Sequence, residues 1–187
     1  MLAEILGKVG HFSTSDIDRF AQCVRYRDVA KDEVLLAQGK VCQTIFYNLE
    51  GALYQFNYND EMDLRVIDLH LEQEWVINDR SFLAQKPSEV CIKAYTDCKV
   101  FELTLQELHQ LIAESPAFLQ MGKIMEYATA RVHFFDTPLS PSEKYLHILE
   151  HRPALIQQFP LKIIASYLKI TPETLSRVRE KLAKGGS

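Results

Sequence analysis

The sequence predicts an α+β protein, with an antiparallel sandwich or barrel first and a helical unit last. Three observations carry this. Between Val34 and Leu103, seven short stretches rich in β-branched and aromatic residues alternate with turn signals. From Phe118 to Phe135, apolar residues recur in steps of three and four. Beyond Pro138 and Pro141, which cannot both sit inside a helix, the pattern becomes short capped helices.

The elements follow in chain order. Ser13-Thr14-Ser15-Asp16 precedes Ile17, Phe20, Ala21 and Val24, a hydroxyl cap ahead of helical spacing. The strand candidates are Val34–Ala37, Thr44–Asn48, Ala52–Tyr58, Leu64–Leu69, Glu74–Ile77, Val90–Ala94 and Val100–Leu103. Gly39-Lys40, Glu50-Gly51, Asn59-Asp60 and Asn78-Asp79 supply turns between them. Thr104 and Glu107 form a capping-box pair for a helix with Leu105, Leu108, Leu111 and Ile112 on one face.

Ser115 and Pro116 suit the start of the next helix. Phe118, Met121, Met125, Ala128, Val132 and Phe135 then mark an a/d seam about 27 Å long at 1.5 Å per residue. Such a seam serves either self-association, giving a homodimer, or packing on the chain's own domain. Asp136–Pro141 ends the helix and marks a boundary. Ser140, Pro141 and Glu143 open another helix, reaching about Glu150. His147 and His151 lie at i and i+4, a metal-capable spacing. No further ligand accompanies them, so solvated or lightly packed rings are expected.

Composition bounds the function. The chain has 187 residues, 47% apolar and 25% charged, a globular balance that excludes wholesale disorder. No apolar run approaches the roughly 20 residues of a membrane span. The N-terminus has no basic lead or long apolar stretch, so no secretory signal and no membrane partner are expected. Cys23, Cys42, Cys91 and Cys98 form no tight cluster, which argues for reduced thiols in a cytoplasmic protein without metal or other cofactor. Net charge is −4, but residues 138–187 hold five Lys and three Arg against four Glu, a net of +4. The first 137 residues therefore carry −8. A small basic unit on a larger acidic one points to nucleic acid at one end.

Pro160–Leu182 contains the informative constellation. Ile164, Ala165 and Leu168 give one helix its packing face, and Ala165 lets a second helix cross closely. Lys169-Ile170 makes the turn. Thr171 caps the second helix, Pro172 starts it, and Leu175, Val178 and Leu182 face inward. Glu173, Ser176, Arg177, Glu180 and Lys181 face outward, with Arg179 toward the flank. A major groove admits one helix, Arg pairs bidentately with guanine, and Glu accepts from cytosine N4. This is the pattern of a helix-turn-helix reader of double-stranded DNA. The competing reading is a plain helical hairpin with a solvated face.

On these residues the sequence resembles the Crp/Fnr family of bacterial transcription regulators. Ile164–Arg177 is similar to the family's DNA-reading unit. Gly39 and Gly51 resemble turn glycines of its cyclic-nucleotide-binding-type β-roll, and Tyr95–Val100 the turn between the roll's last strands. Pro116–Phe135 is similar to its central dimer helix. The resemblance implies three parts: a jelly-roll-like sensor (1–115), a dimerisation helix (116–136) and a helix-turn-helix domain (137–187). It implies a homodimer on a palindromic site, with recognition helices about 34 Å apart. Thr171, Pro172, Glu173, Ser176, Arg177 and Lys181 become the expected DNA contacts, with Glu173 and Arg177 at the base-reading positions.

Two departures qualify the resemblance. Where cyclic-AMP-binding members hold the phosphate, this chain has Asn78 and Asp79 on one side and Ser88 and Glu89 on the other. Ser88 replaces the phosphate-pairing arginine, and Asp79 and Glu89 add like charge, so tight cyclic AMP binding is not expected. Arg80, close by, is the one candidate to compensate. Lys169 stands where the turn often has Gly, so a left-handed residue is expected there, and a full wing after the reading helix is not. No nucleophile–base pair or phosphate-cradling loop suggests an enzyme. The rival function is a ligand-binding signalling module whose C-terminal helices dock a protein. The small-molecule effector is not specified by sequence.

Overall fold

The computed structural model describes residues 1–185. Two short helices, α1 (Leu2–Gly7) and α2 (Thr14–Cys23), precede eight strands. Ser13 and Asp16 close a full capping box on α2. The strands are β1 (Arg25–Val29), β2 (Val34–Leu36), β3 (Thr44–Glu50), β4 (Leu53–Tyr58), β5 (Leu64–His70), β6 (Glu74–Val76), β7 (Cys91–Ala94) and β8 (Cys98–Thr104). They form two four-stranded sheets, ordered β1-β8-β3-β6 and β2-β7-β4-β5, with every neighbouring pair antiparallel. A short helix, α3 (Asp79–Ala84), links β6 to β7. Gly51 has φ of 86°, and a Cβ there would lie 2.3 Å from the Asp97 carbonyl oxygen, so the turn admits only glycine.

Seven strands match the sequence expectation within two residues at either end. The eighth, β1, was missed because Arg-Tyr-Arg-Asp-Val has almost no apolar content. Its outer position explains this, since β1 pairs only with β8, with Arg27 on Glu33 and Glu102 and Arg25 on Glu107. Asn78-Asp79 was expected as a turn. It opens α3 instead, Asn78 capping the helix by accepting from the Ser81 amide at 2.9 Å.

The expected long helix is corrected. After α4 (Leu105–Glu114), Pro116–Met121 is a 3-10 helix, and α5 (Gly122–Phe134) is regular α-helix. A three-residue period places Phe118 and Met121 on one side, and both are fully buried. The proposed dimer seam is corrected with it. Phe118, Met121, Met125 and Ala128 are buried in the chain's own β-roll core, and Phe135 in the core of the helices beyond. Val132 is half-buried, beside a cavity. The heptad spacing reports intrachain packing, because the β-roll offers this helix a broad apolar face. The outward side of the segment carries Leu119 (64% exposed) and Tyr127 (62% exposed).

Beyond Asp136, α6 (Pro141–His151), α7 (Ala154–Gln158), α8 (Leu161–Tyr167) and α9 (Pro172–Gly185) gather around Tyr145, Ile148, Leu155, Ile164, Ala165 and Leu175. Ala52, Val66 and Leu69 of the β-roll join this second core. The Ser140–Glu143 capping box and Pro141 at the first helical turn are present. The His147 and His151 rings stack 4.2 Å apart, and His147 stacks 4.0 Å from Phe134. No group of three potential metal ligands occurs among the described residues. The four cysteines are free, and no described helix is long and apolar enough to cross a membrane.

Candidate functional site

Helices α8 and α9 meet at a tight turn. Lys169 adopts φ of 58°, the left-handed conformation expected of that position. Its amide donates to Ser166 O at 3.0 Å, and the Ile170 amide to Ala165 O at 3.1 Å. Ile164, Ala165, Leu168 and Leu175 are fully buried between the helices. Thr171 Oγ1 accepts from the Thr174 amide at 3.2 Å, capping α9. Lys144, on α6, adds a brace the sequence did not announce. Its buried amine donates to Phe135 O at 3.0 Å and Leu168 O at 3.1 Å, tying the end of α5 to the turn. Burial holds this amine below its ordinary pKa, with Lys169 acting in the same direction.

Thr171, Pro172, Glu173, Ser176, Arg177 and Lys181 are all exposed and lie along the first two to three turns of α9. The Glu173 carboxyl is held below its usual range by its own amide, the Thr171 hydroxyl and then Arg177. It is therefore an anion at neutral pH, free to accept a hydrogen bond.

Asn78, Asp79, Ser88 and Glu89 line one cavity of about 810 Å³. Two of them are already engaged. The Asn78 side chain caps α3, and the buried Ser88 hydroxyl donates to Val90 O at 2.7 Å while accepting from the Val90 amide at 3.1 Å. Asp79 accepts from the Thr129 hydroxyl on α5, and Glu89 is exposed. Ser88 brings no charge to this wall, and Asn78 closes the start of α3. The far wall comes from α8 and the α8–α9 turn, through Ser166, Lys169, Ile170 and Thr171.

Comparison with known proteins agrees with this architecture. The family model for the cyclic nucleotide-binding domain matches residues 26–115. No curated protein matches the chain. Among solved structures, FixK2 from Bradyrhizobium japonicum is similar at 14% identity and a TM-score of 0.69, over 87% of this chain and 86% of that one. CLP, a c-di-GMP-responsive global regulator of Xanthomonas campestris, is similar at 21% identity and TM-score 0.64, over 93% of both chains. The catabolite activator protein of Thermus thermophilus is similar at 17% identity and TM-score 0.58, over 94% of this chain and 85% of that one. The chain has the Crp/Fnr fold.

Within this Crp/Fnr fold, a buried charge cluster joins the β-roll to the helices. Asp68 and His70, both fully buried, share the inner face of β5. Arg131 of α5 donates to Asp68 Oδ2 at 2.8 Å and lies 3.0 Å from His70 Nδ1. Glu74 accepts from Arg152 at 2.8 Å, and Arg152 also donates to Leu69 O at 2.8 Å and Tyr167 Oη at 3.1 Å. The sequence held one signal of this cluster. Asp68 and His70 alternate with Leu69 in a strand whose neighbours are apolar, which puts two polar side chains on an inward face.

Burial, and then Arg131, push the His70 pKa well below the histidine norm, against the opposing pull of Glu74. Below about pH 6.5 the unfolded chain takes up a proton at His70 that the folded chain refuses. Stability is therefore full above that pH and falls as pH decreases. His70 should add to the loss of stability as pH falls below about 6.5. Urea unfolding of His70→Gln across that window should show a shallower slope than the parent. Parallel slopes would contradict the assignment.

Proposed function

We propose that the chain is a homodimeric transcription regulator that reads a palindromic operator through α9 in the major groove. Its parts are a sensor over residues 1–115, a connecting helix over 116–136 and a reading unit over 137–187. The observation that carries this is the exposed row Glu173, Ser176 and Arg177 at the start of a helix whose opposite face is packed on α6 and α8. Arg177 and Glu173 read base edges, while Ser176 and Lys181 hold adjacent backbone. The reading places Leu119 and Tyr127, on the outward side of the connecting segment, at the contact between protomers. The sensor does not hold cyclic AMP tightly, since Asn78 and Ser88 are committed within the chain.

Selection of bound sites from random duplex DNA tests the reading directly. A recovered site with twofold symmetry is expected, and binding should weaken steeply with salt. Arg177→Ala should lose about 1–3 kcal/mol of specific affinity and relax preference at one position. An Arg177→Ala variant that binds the selected site as the parent does would remove Arg177 from base reading. Binding to no duplex would remove DNA as the partner and favour a protein docked on the same helices.

A further inference from the structure

The ring of His70 is fully buried where β4, β5, β6 and α5 meet, and both of its nitrogens face donors. Arg131 Nη2 lies 3.0 Å from Nδ1. Gln55 Nε2 lies 3.1 Å from the ring Nε2 while donating to Ile77 O at 2.9 Å. A guanidinium never gives up its protons, so Nδ1 is the acceptor, and the contacts assign the ring's own proton to Nε2. On that side the ring faces Asp68 Oδ2 at 3.5 Å. A second proton would have to enter on Nδ1, pointing straight at an N–H of Arg131.

Charge balance points the same way. The charged groups around the ring are Asp68 of β5, Glu74 of β6, Arg131 of α5 and Arg152 at the end of α6, with the Tyr167 hydroxyl of α8 on Arg152. Two anions and two cations cancel while the imidazole is neutral. Glu74 Oε2 stands 3.9 Å from Nδ1, but it already accepts from Arg152 at 2.8 Å and from Arg131 at 3.5 Å. The same guanidiniums seat the helices. Arg131 ties α5 to β5 and β6, and Arg152 ties the end of α6 to Leu69 O and Glu74. Beside them, Ser166 of α8 accepts from the Val66 amide of β5 at 2.9 Å. A charge gained at His70 is therefore gained at the centre of the ties that hold α5 and α8 on β5.

We propose that His70 is a proton-operated latch: uptake of a proton on Nδ1 expels Arg131 from the cluster and releases α5 and α8 from β5. In the seated form, burial and then Arg131 favour the neutral ring. In the released form the ring is in water and takes a proton at its ordinary value, about 6.5. Seating is therefore fully favoured above that pH, and release gains as pH falls below it. The release is confined to these helices, since β8 pairs with β1 and β3 on the other sheet. The latch is a property of the chain without DNA. Its consequence, operator binding that changes with pH, rests on the regulator reading.

The test is amide hydrogen exchange of the full chain, read by nuclear magnetic resonance as protection factors, which remove the intrinsic effect of pH on exchange. The Val66 amide, bonded to Ser166 Oγ, reports seating, and Val100, buried on β8 between β1 and β3, reports the β-roll. From about pH 7 to about pH 5.5, protection at Val66 should fall at least about threefold more than at Val100. His70→Gln keeps an acceptor for Arg131 and cannot take the proton, so it should abolish that difference. The ring nitrogens of His70 give a second readout that needs no variant. They should show one proton, on Nε2, at about pH 7, and gain the second only as Val66 loses protection. Parallel loss at Val66 and Val100, a difference that persists in His70→Gln, or a doubly protonated ring with Val66 still protected would each overturn the proposal. Failure of DNA selection alongside an intact pH response at Val66 would overturn the operator reading and leave the latch standing.

Discussion

Arg131→Met is expected to lower the free energy of unfolding by about 3–5 kcal/mol, the cost of stranding a buried charge. Asp68 is fully buried, and Arg131 is its salt-bridge partner at 2.8 Å. Removing the guanidinium leaves the Asp68 carboxylate with the Leu69 amide but without its arginine, and deprives His70 of its nearest donor. The remedy is also predictable. Converting Asp68 to Leu in the same chain should restore much of the loss, because two apolar groups replace two charges that needed each other. Urea unfolding of the two single variants and the double variant measures this. A single variant within about 1 kcal/mol of the parent would show that the pair is not structural.

Phe118→Ala should cost about 3–5 kcal/mol of stability, the usual range for emptying a large buried aromatic site. Phe118 is fully buried, with Phe12 at a ring distance of 5.3 Å and Phe20 at 6.5 Å. The effect should appear as a lowered urea midpoint. Sedimentation under native conditions should give the parent's oligomeric state. A variant of parental stability that instead changed oligomeric state would return Phe118 to an interface between protomers.

The contrast between Phe118 and the α8–α9 pair shows where sequence was informative. Residues whose role is local were legible. Thr104 with Glu107 and Ser140 with Glu143 cap helices through contacts three residues apart, and Gly51 serves a turn of its own. The α8–α9 pair was legible for the same reason, since its crossing, turn and cap lie within some two dozen residues. What failed depended on distant partners. The apolar steps from Phe118 to Phe135 carry a period and no address, and the β-roll claimed a face that a second chain would have fitted equally well. The charges of β1 hid a strand because Glu33, Glu102 and Glu107, not apolar neighbours, receive its arginines. Asn78, Asp79, Ser88 and Glu89 line one cavity, but the presence of α8 and the α8–α9 turn in its wall required the fold. Nothing near Arg152 or Lys144 in sequence announces what they bind. Their partners, Glu74, Leu69 O, Phe135 O and Leu168 O, are 9 to 83 residues away.

Ser166 carries a consequence for the integrity of the β-roll. Its hydroxyl accepts from the Val66 amide at 2.9 Å and donates to Leu64 O at 3.2 Å, while Arg152 takes Leu69 O on the same strand. β5 is the last strand of its sheet, so these are backbone groups that no further strand satisfies. The helices therefore seal the sheet's open margin. Without them β5 would present an open edge able to recruit a strand from another molecule, so displacing α8 should expose the chain to aggregation.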